Sequence, residues 1–385
     1  MKQIELVLQN DGVKRNVIFP CSEAEYQAVR KELELKDDYA FVRDVVDPKA
    51  LALKKDTFVH LDEINYLAKR IDGFDQKELF SFFAAIETGD YVSTKDLINL
   101  TFNLNCYTLI RDVSNLKSVG RNYVLCREVA ISADELEKMD LEKIGRELLS
   151  TGKGIPTNYG VLFRNEDVAF EDAYKGKGFP SYYYTGGEVL GVAIEKDGEQ
   201  DYIYFPCEKT EIERALKRIG AGDIIECSKN IDYCGGDREW EDYFNDLLQK
   251  NDIESLNAIS SAINRLDATE DAISENLYKL SAVMEFVGVT TADTEKVIRL
   301  AGCLDEFEYY REIGNDYNLG TKLIENEIGS AAEKIDDYID YEKYAQDYLE
   351  ENGGAYTKYG DVVYLREDQT LSEILGENEM KMGGI

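Results

Sequence analysis

Carboxylates are the one reactive group this chain holds in large excess: 77 Asp and Glu against 44 Lys and Arg, a net charge of −33, with a single histidine. Two groups of them stand out. Asp232, Asp237, Glu239, Glu241 and Asp242 surround the sole tryptophan, Trp240. Glu333, Asp336, Asp337, Asp340, Asp347 and Glu351 fall on one arc of the wheel if residues 333–351 form a helix. Ile335, Tyr338, Ile339, Ala345, Tyr348 and Leu349 then fall on roughly the opposite arc and can pack. Clustered carboxylates can act as an acid/base pair, bind calcium, or present a negative field to a basic surface. Carboxylate pairs occur throughout the chain, so none stands out as a glycosidase pair. The cluster at Trp240 lacks the ligand register of an EF-hand loop and reads better as a solvated acidic face. What remains is the field: on the 333–351 helix, one row of negative charge about every turn, ~5 Å apart.

Other chemistry is thinly represented. With His60 as the only histidine, HExxH zinc sites and His-rich metal sites are excluded. No phosphate-binding G-x-x-x-x-G-K-[ST] motif occurs. Gly152-Lys-Gly154 and Gly353-Gly354 sit where helices should end, which is the position of a C-terminal cap. We therefore expect no catalytic residue, cofactor or metal. Seven cysteines without a C-x-x-C, no signal peptide at Met1-Lys2-Gln3 and no membrane-spanning apolar run predict a cytoplasmic protein with reduced thiols.

The charge is uneven. Residues 1–187 hold 31 acids and 25 bases, whereas residues 188–385 hold 46 acids and 19 bases. Such a surface repels nucleic acid and anionic membrane and attracts basic surfaces. The acids are interleaved with Leu, Ile, Val and Tyr at helical and strand spacing, which predicts folded structure.

The elements that must carry these residues come in two copies. Ile4-Glu-Leu-Val-Leu-Gln-Asn-Asp11-Gly12 with Val17-Ile18-Phe19-Pro20-Cys21 recurs as Val189-Leu-Gly-Val-Ala-Ile194-Glu-Lys-Asp197-Gly198 with Tyr202-Ile203-Tyr204-Phe205-Pro206-Cys207. Each reads as a hairpin turning at Asp-Gly, followed by an amphipathic helix at residues 23–33 and 209–219. Residues 61–72 match 256–267, pairing Asn65 with Ser260. From about residue 96 the copies align at an offset of 200, with Arg111, Gly120, Asp140 and Tyr159 matching Arg311, Gly320, Asp340 and Tyr359. The pattern predicts an α+β chain of two repeated units, each a small antiparallel sheet with helices, a helical middle and a helix-plus-strand end. The first unit is read as 1–180 (1–55 hairpin and helix, 56–118 helical, 119–180 α+β). The second is read as 181–385 (181–240, 241–320 and 321–385, in the same sense). The 175–180 segment is the expected link, and Tyr182-Tyr183-Tyr184 the expected strand entering the second unit.

The stretch Tyr338-Ile-Asp340-Tyr341-Glu342-Lys343-Tyr344-Ala-Gln-Asp347, with Thr357-Lys-Tyr359-Gly360 and a terminal strand after it, resembles the ArdA-type antirestriction proteins of mobile genetic elements. Leu61-Asp-Glu-Ile-Asn65-Tyr-Leu67-Ala resembles that family's helical middle, and the Phe-Pro-Cys hairpin its N-terminal region. The resemblance implies an elongated, acidic, non-enzymatic DNA mimic that occupies the basic DNA groove of a type I restriction–modification enzyme. It further implies no direct nucleic-acid binding, no membrane association and possible homodimerisation. The chain departs from the family in carrying two units, of which the first is nearly balanced in charge. Either the second unit alone mimics DNA or the first has another role. A different reading has the acidic surface sequester some other basic nucleic-acid-binding protein.

Overall fold

Each unit opens with a hairpin whose turn is an Asp-Gly pair in the left-handed region: Asp11 and Gly12 at φ 44° and 90°, Asp197 and Gly198 at 53° and 81°. Only residues tolerant of positive φ close this two-residue turn with the twist that antiparallel strands require. A computed structural model describes the chain apart from residues 1, 52, 54–56, 90, 92, 128–130, 182–186, 267–269, 330–337, 367–369 and 377–385. It divides into two units, Met1–Tyr184 and Thr185–Ile385.

In the first unit, β1 (Ile4–Asn10) and β2 (Val13–Phe19) lead into α1 (Glu23–Glu32), then β3 (Tyr39–Asp47) and β4 (Phe58–His60). The antiparallel sheet has the order β2-β1-β3-β4. Ile4, Leu6 and Leu8 alternate inward along β1 and are fully buried, as a strand with one covered face requires. Helices α2 (Leu61–Asp72), α3 (Gln76–Thr88) and α4 (Thr94–Phe102) follow, then β5 (Tyr107–Ile110). Next come α5 (Leu116–Arg127), α6 (Ala133–Lys138), α7 (Leu141–Ser150), β6 (Ile155–Thr157) and β7 (Gly160–Arg164), the second sheet having the order β5-β7-β6.

The second unit repeats this plan. Strands β8 (Leu190–Lys196) and β9 (Glu199–Phe205), helix α8 (Lys209–Arg218) and strand β10 (Ser228–Cys234) form a sheet of order β10-β8-β9. After α9 (Arg238–Gln249) come α10 (Ile253–Leu266), α11 (Glu270–Val287) and α12 (Thr294–Gly302), then β11 (Phe307–Tyr310) and α13 (Asp316–Ile328). The unit continues with α14 (Tyr341–Asn352), β12 (Ala355–Tyr356), β13 (Val362–Leu365) and α15 (Leu371–Ile374), the second sheet having the order β11-β13-β12. The architecture is α+β with repeated sheet-plus-helix units. A large core joins the first sheet to the helical middle through Val192, Phe205, Phe244, Leu256, Leu277 and Leu300.

Two features hold the copies to one geometry. The backbone N–H of Cys21 donates to Asn65 Oδ1 at 2.9 Å, and that of Cys207 donates to Asn257 Oδ1 at 2.9 Å. The amide that ties the hairpin end to the helix is therefore retained, but Asn257 lies three residues before the Ser260 that the sequence match pairs with Asn65. Arg70 and Arg265, which the match also pairs, keep one role: each donates to a carbonyl at the end of α4 or α12, Thr101 at 3.2 Å and Gly302 at 2.6 Å. The second feature is the close approach of α5 to α7 and of α13 to α14. A Cβ on Gly120 would sit 1.9 Å from the Leu141 carbonyl oxygen, and one on Gly320 would sit 2.0 Å from that of Tyr341. Glycine is what lets these backbones meet.

The structure departs from several expectations. The hairpin in each unit is only part of a sheet: β3 and β10 pair antiparallel on the far side of β1 and β8. Of the expected link 175–180, residues 175–177 are exposed, whereas its end packs on the first unit. Phe179 is buried and stacks on Tyr66 at 4.4 Å, and the Tyr66 hydroxyl donates to the Pro180 carbonyl at 2.8 Å. These apolar contacts tie the segment to the first unit. Tyr182, Tyr183 and Tyr184 lie outside the described residues. Helices α5, α9 and α13 run across positions 118/119, 240/241 and 320/321.

Candidate functional site

Among the described residues of the first unit helix α9 has no helical counterpart, and β4 precedes the matching helix α2. It carries most of the acidic cluster around Trp240. Asp237 is the N-cap, its carboxylate accepting the amides of Glu239 at 3.0 Å and Trp240 at 3.2 Å. Trp240, Tyr243, Phe244, Leu247 and Leu248 form the buried side, and Glu239, Glu241, Asp242 and Asp246 are exposed. The strict separation of the two faces anchors the carboxylates to a packed helix. Asp232 is exposed on β10, upstream of the helix. Burial pushes the Cys234 thiol at the strand's end up to about 11, with Glu241 and Asp237 adding to the effect.

The C-terminal acidic stretch is organised differently from the expected single helix. Helix α14 begins only at Tyr341. Asp340 is its N-cap, with φ −88° and ψ 86°, and its carboxylate accepts the Lys343 amide at 3.1 Å. A carboxylate bound to a first-turn amide starts a helix rather than continuing one, and Asp140 does the same for α7 at 3.0 Å. Tyr338, expected on the packing arc, is 87% exposed because it precedes the helix. Asp347 and Glu351 are exposed on α14, whose buried residues are Tyr341 and Ala345. Gly353 closes the helix at φ 63°, the left-handed C-cap conformation expected of that glycine. Glu333, Asp336 and Asp337 lie outside the described residues.

Asp237 and Glu239 also border a feature that the sequence reading missed, a cleft of about 700 Å³ in the second unit. The start of α9, one side of α11, the end of β11 and the β12–β13 turn enclose it. The Trp240 indole N–H donates to Ser281 Oγ at 2.8 Å and to the Leu277 carbonyl at 3.2 Å. The Arg311 guanidinium lies 4.0 Å from the Tyr278 ring centroid and pairs with Glu275. The Lys358 backbone N–H donates to Glu285 Oε1 at 2.6 Å, and the Tyr359 hydroxyl to Glu239 Oε1 at 3.4 Å. Buried Asp361 accepts the Glu312 amide at 2.8 Å. The Tyr309 hydroxyl is buried and, among the described residues, has no hydrogen-bond partner. Burial and the Asp361 carboxylate hold this phenol well above its ordinary value, so it remains an O–H donor.

The first unit has the same frame with different filling. Arg111 lies 4.1 Å from the Phe80 ring centroid, and the Asn158 N–H donates to Glu87 at 2.8 Å. These pairs place Phe80, Phe83 and Glu87 opposite Tyr278, Ser281 and Glu285. The rings of Phe80 and Phe83 pack on Tyr159 at 5.7 and 5.8 Å. Comparison of the two copies, Phe83 against Ser281 above all, was the signal that could have found the cleft. It was hidden because the offset here is 198, between 195 upstream and 200 downstream.

Among the described residues no group of three or more His, Cys, Asp or Glu is arranged to hold a metal, and no helix is long and apolar enough to cross a membrane. All seven cysteines are free thiols. No protein-family model matches this chain, and no curated protein matches it.

Proposed function

We propose that this chain is a non-enzymatic acidic protein of the ArdA type that occupies the basic DNA-binding groove of a type I restriction–modification enzyme. One observation carries the reading. The excess charge is concentrated in the second unit, and the carboxylates of α9 and α14 lie on the solvent side of packed helices. Residues 223–351 alone hold 32 acids against 11 bases. Glu239, Glu241, Asp242 and Asp246 on α9, with Asp347 and Glu351 on α14, are held by folded backbone before any partner arrives. A pre-folded array loses little conformational entropy on docking. Duplex DNA presents one charge per ~1.7 Å and is held largely through its phosphates, so a groove built for it also attracts a fixed carboxylate array. The protein would act in the cytoplasm, and its free thiols accord with that.

The test is a plating assay in cells that carry a type I restriction system and express the full chain. Unmodified phage should plate at higher efficiency. Binding to the purified enzyme should weaken steeply with salt, and duplex DNA should compete for it. Neutralising Glu241, Asp242, Asp347 and Glu351 together to Gln or Asn should weaken inhibition while the protein stays folded. Unchanged inhibition would remove this surface from the reading. The nearly balanced first unit favours a second reading, in which the acidic unit sequesters another basic nucleic-acid-binding protein. Capture of such a protein with no relief of restriction would select it.

A further inference from the structure

We propose that the cleft between α9, α11, β11 and the β12–β13 turn is a receptor for an arginine side chain presented by the basic protein partner. The inference rests on the reading of the second unit as a receptor for a basic protein, and it names the group that unit takes. Three observations support it.

The first is the divergence of the two copies on one frame. Where the first unit has Phe80, Phe83 and Leu109, the second has Tyr278, Ser281 and Tyr309, and Asp361 stands at the strand position of Gly160. Apolar side chains have given way to hydroxyl-bearing ones, and a carboxylate is added where the first unit has a glycine. Replacing Phe83 by Ser281 withdraws a ring from the space beside Tyr359, which is 65% exposed at the rim.

The second is charge. Asp237, Glu239, Glu285, Glu312 and Asp361 line the cleft, with Arg311 and Lys358 as its only cations among the described lining residues. Both cations already face aromatic rings, Arg311 over Tyr278 and Lys358 4.6 Å from the Tyr359 centroid. Arg311 is also paired with Glu275 and, at 3.4 Å, with Glu312. The lining retains an excess of negative charge, which a guest cation can neutralise.

The third is the composition of the walls. Tyr309 and Tyr359 offer aromatic surface beside the carboxylates, and the buried Trp240 backs the wall. A guanidinium is planar, stacks on aromatic faces and takes carboxylates in a two-pronged hydrogen bond, and it is less strongly hydrated than an ammonium. A volume of about 700 Å³ is ample for one such side chain and its flanking backbone. A basic DNA-binding groove is a surface that supplies arginines.

Because Trp240 is the only tryptophan and lines the cleft, its fluorescence reads occupancy directly. The full chain is titrated with arginine blocked at both termini, with the equally blocked citrulline derivative, which is its neutral isostere, and with spermidine. Saturable change is expected with the arginine derivative in the millimolar range, and at least tenfold weaker binding with citrulline. Tyr309→Phe and the pair Glu239→Gln/Glu312→Gln should each weaken arginine binding at least fivefold with thermal unfolding unchanged. Ser281→Phe, which restores the residue of the first unit, should abolish it. Should that variant fail to fold, the Tyr309 and rim variants still decide. No saturable change, equal binding of citrulline, or tighter binding of spermidine than of arginine would overturn the inference. The plating assay separates the two levels. Arginine binding without relief of restriction leaves the cleft standing and removes the restriction reading, whereas relief without arginine binding does the reverse.

Discussion

Ser281 accepts the indole N–H of Trp240 at 2.8 Å, at the position where the first unit places Phe83 against Tyr159 at 5.8 Å. One small hydroxyl therefore both holds the tryptophan and opens the space beside it. The acidic helix α9 is docked through this contact, because Trp240 is its first buried residue.

Ser281→Ala should cost about 1 kcal/mol, the net worth of one hydrogen bond. The loss is limited because the Leu277 carbonyl still receives the indole N–H. Urea unfolding followed by Trp240 fluorescence checks this. A loss beyond about 3 kcal/mol would mean that the hydroxyl supports more than the indole.

Gly320→Ala should be far more damaging. Its Cβ would fall 2.0 Å from the Tyr341 carbonyl oxygen, so α13 and α14 must separate. About 3 kcal/mol is expected for forcing atoms into a packed interface. Gly353→Ala acts differently, since its Cβ meets nothing within 4 Å and only the left-handed backbone at φ 63° is penalised, at about 1 kcal/mol. Comparing the two unfolding midpoints separates contact from conformation.

Asp340→Asn should leave α14 intact, while Asp340→Ala should cost about 1 kcal/mol, because asparagine caps a helix as well as aspartate does and alanine does not. Both remove the same charge. If restriction is relieved equally well by the asparagine variant and the wild type, Asp340 serves the helix rather than the partner.

The thiols give a pH prediction. Burial pushes Cys21 up to about 12 and Cys234 up to about 11. A thiol whose folded value lies above its unfolded value stabilises the fold fully below the unfolded value, and that contribution is lost as pH rises toward the folded one. Stability should therefore decline above about pH 9, and Cys21→Ala should flatten the decline. At pH 8 a thiol with a value near 12 is about 10⁻⁴ thiolate, so iodoacetamide should modify Cys21 and Cys234 far more slowly in the native chain than in urea.

Much of the fold was legible because it rests on local rules. Asp-Gly between alternating apolar runs specifies a hairpin, and Ile4, Leu6 and Leu8 specify its buried face. Strands β3 and β10 escaped notice because a strand added on the far side of a hairpin carries no turn signal linking it to its partner, although Tyr39-Ala-Phe-Val-Arg-Asp-Val-Val-Asp47 has strand composition. The helix expected over 333–351 was drawn too far forward because Asp340 fits a helical wheel equally well as a surface charge or as a cap. The wheel records angle, and only backbone geometry distinguishes the two.

Read alone, the chain establishes its charge, its uneven distribution, the duplication and the α+β order of elements, since all of these follow from residue type and short-range spacing. Only the folded chain brings together Asp237, Ser281, Tyr309, Arg311 and Asp361. These residues are separated by up to 124 positions and share no period, so nothing local links them. Their cleft exists because Ser281 stands where a phenylalanine would fill the space. Whether a side chain fills or leaves a space depends on neighbours distant in the chain, and that is settled only when the helices and the second sheet pack.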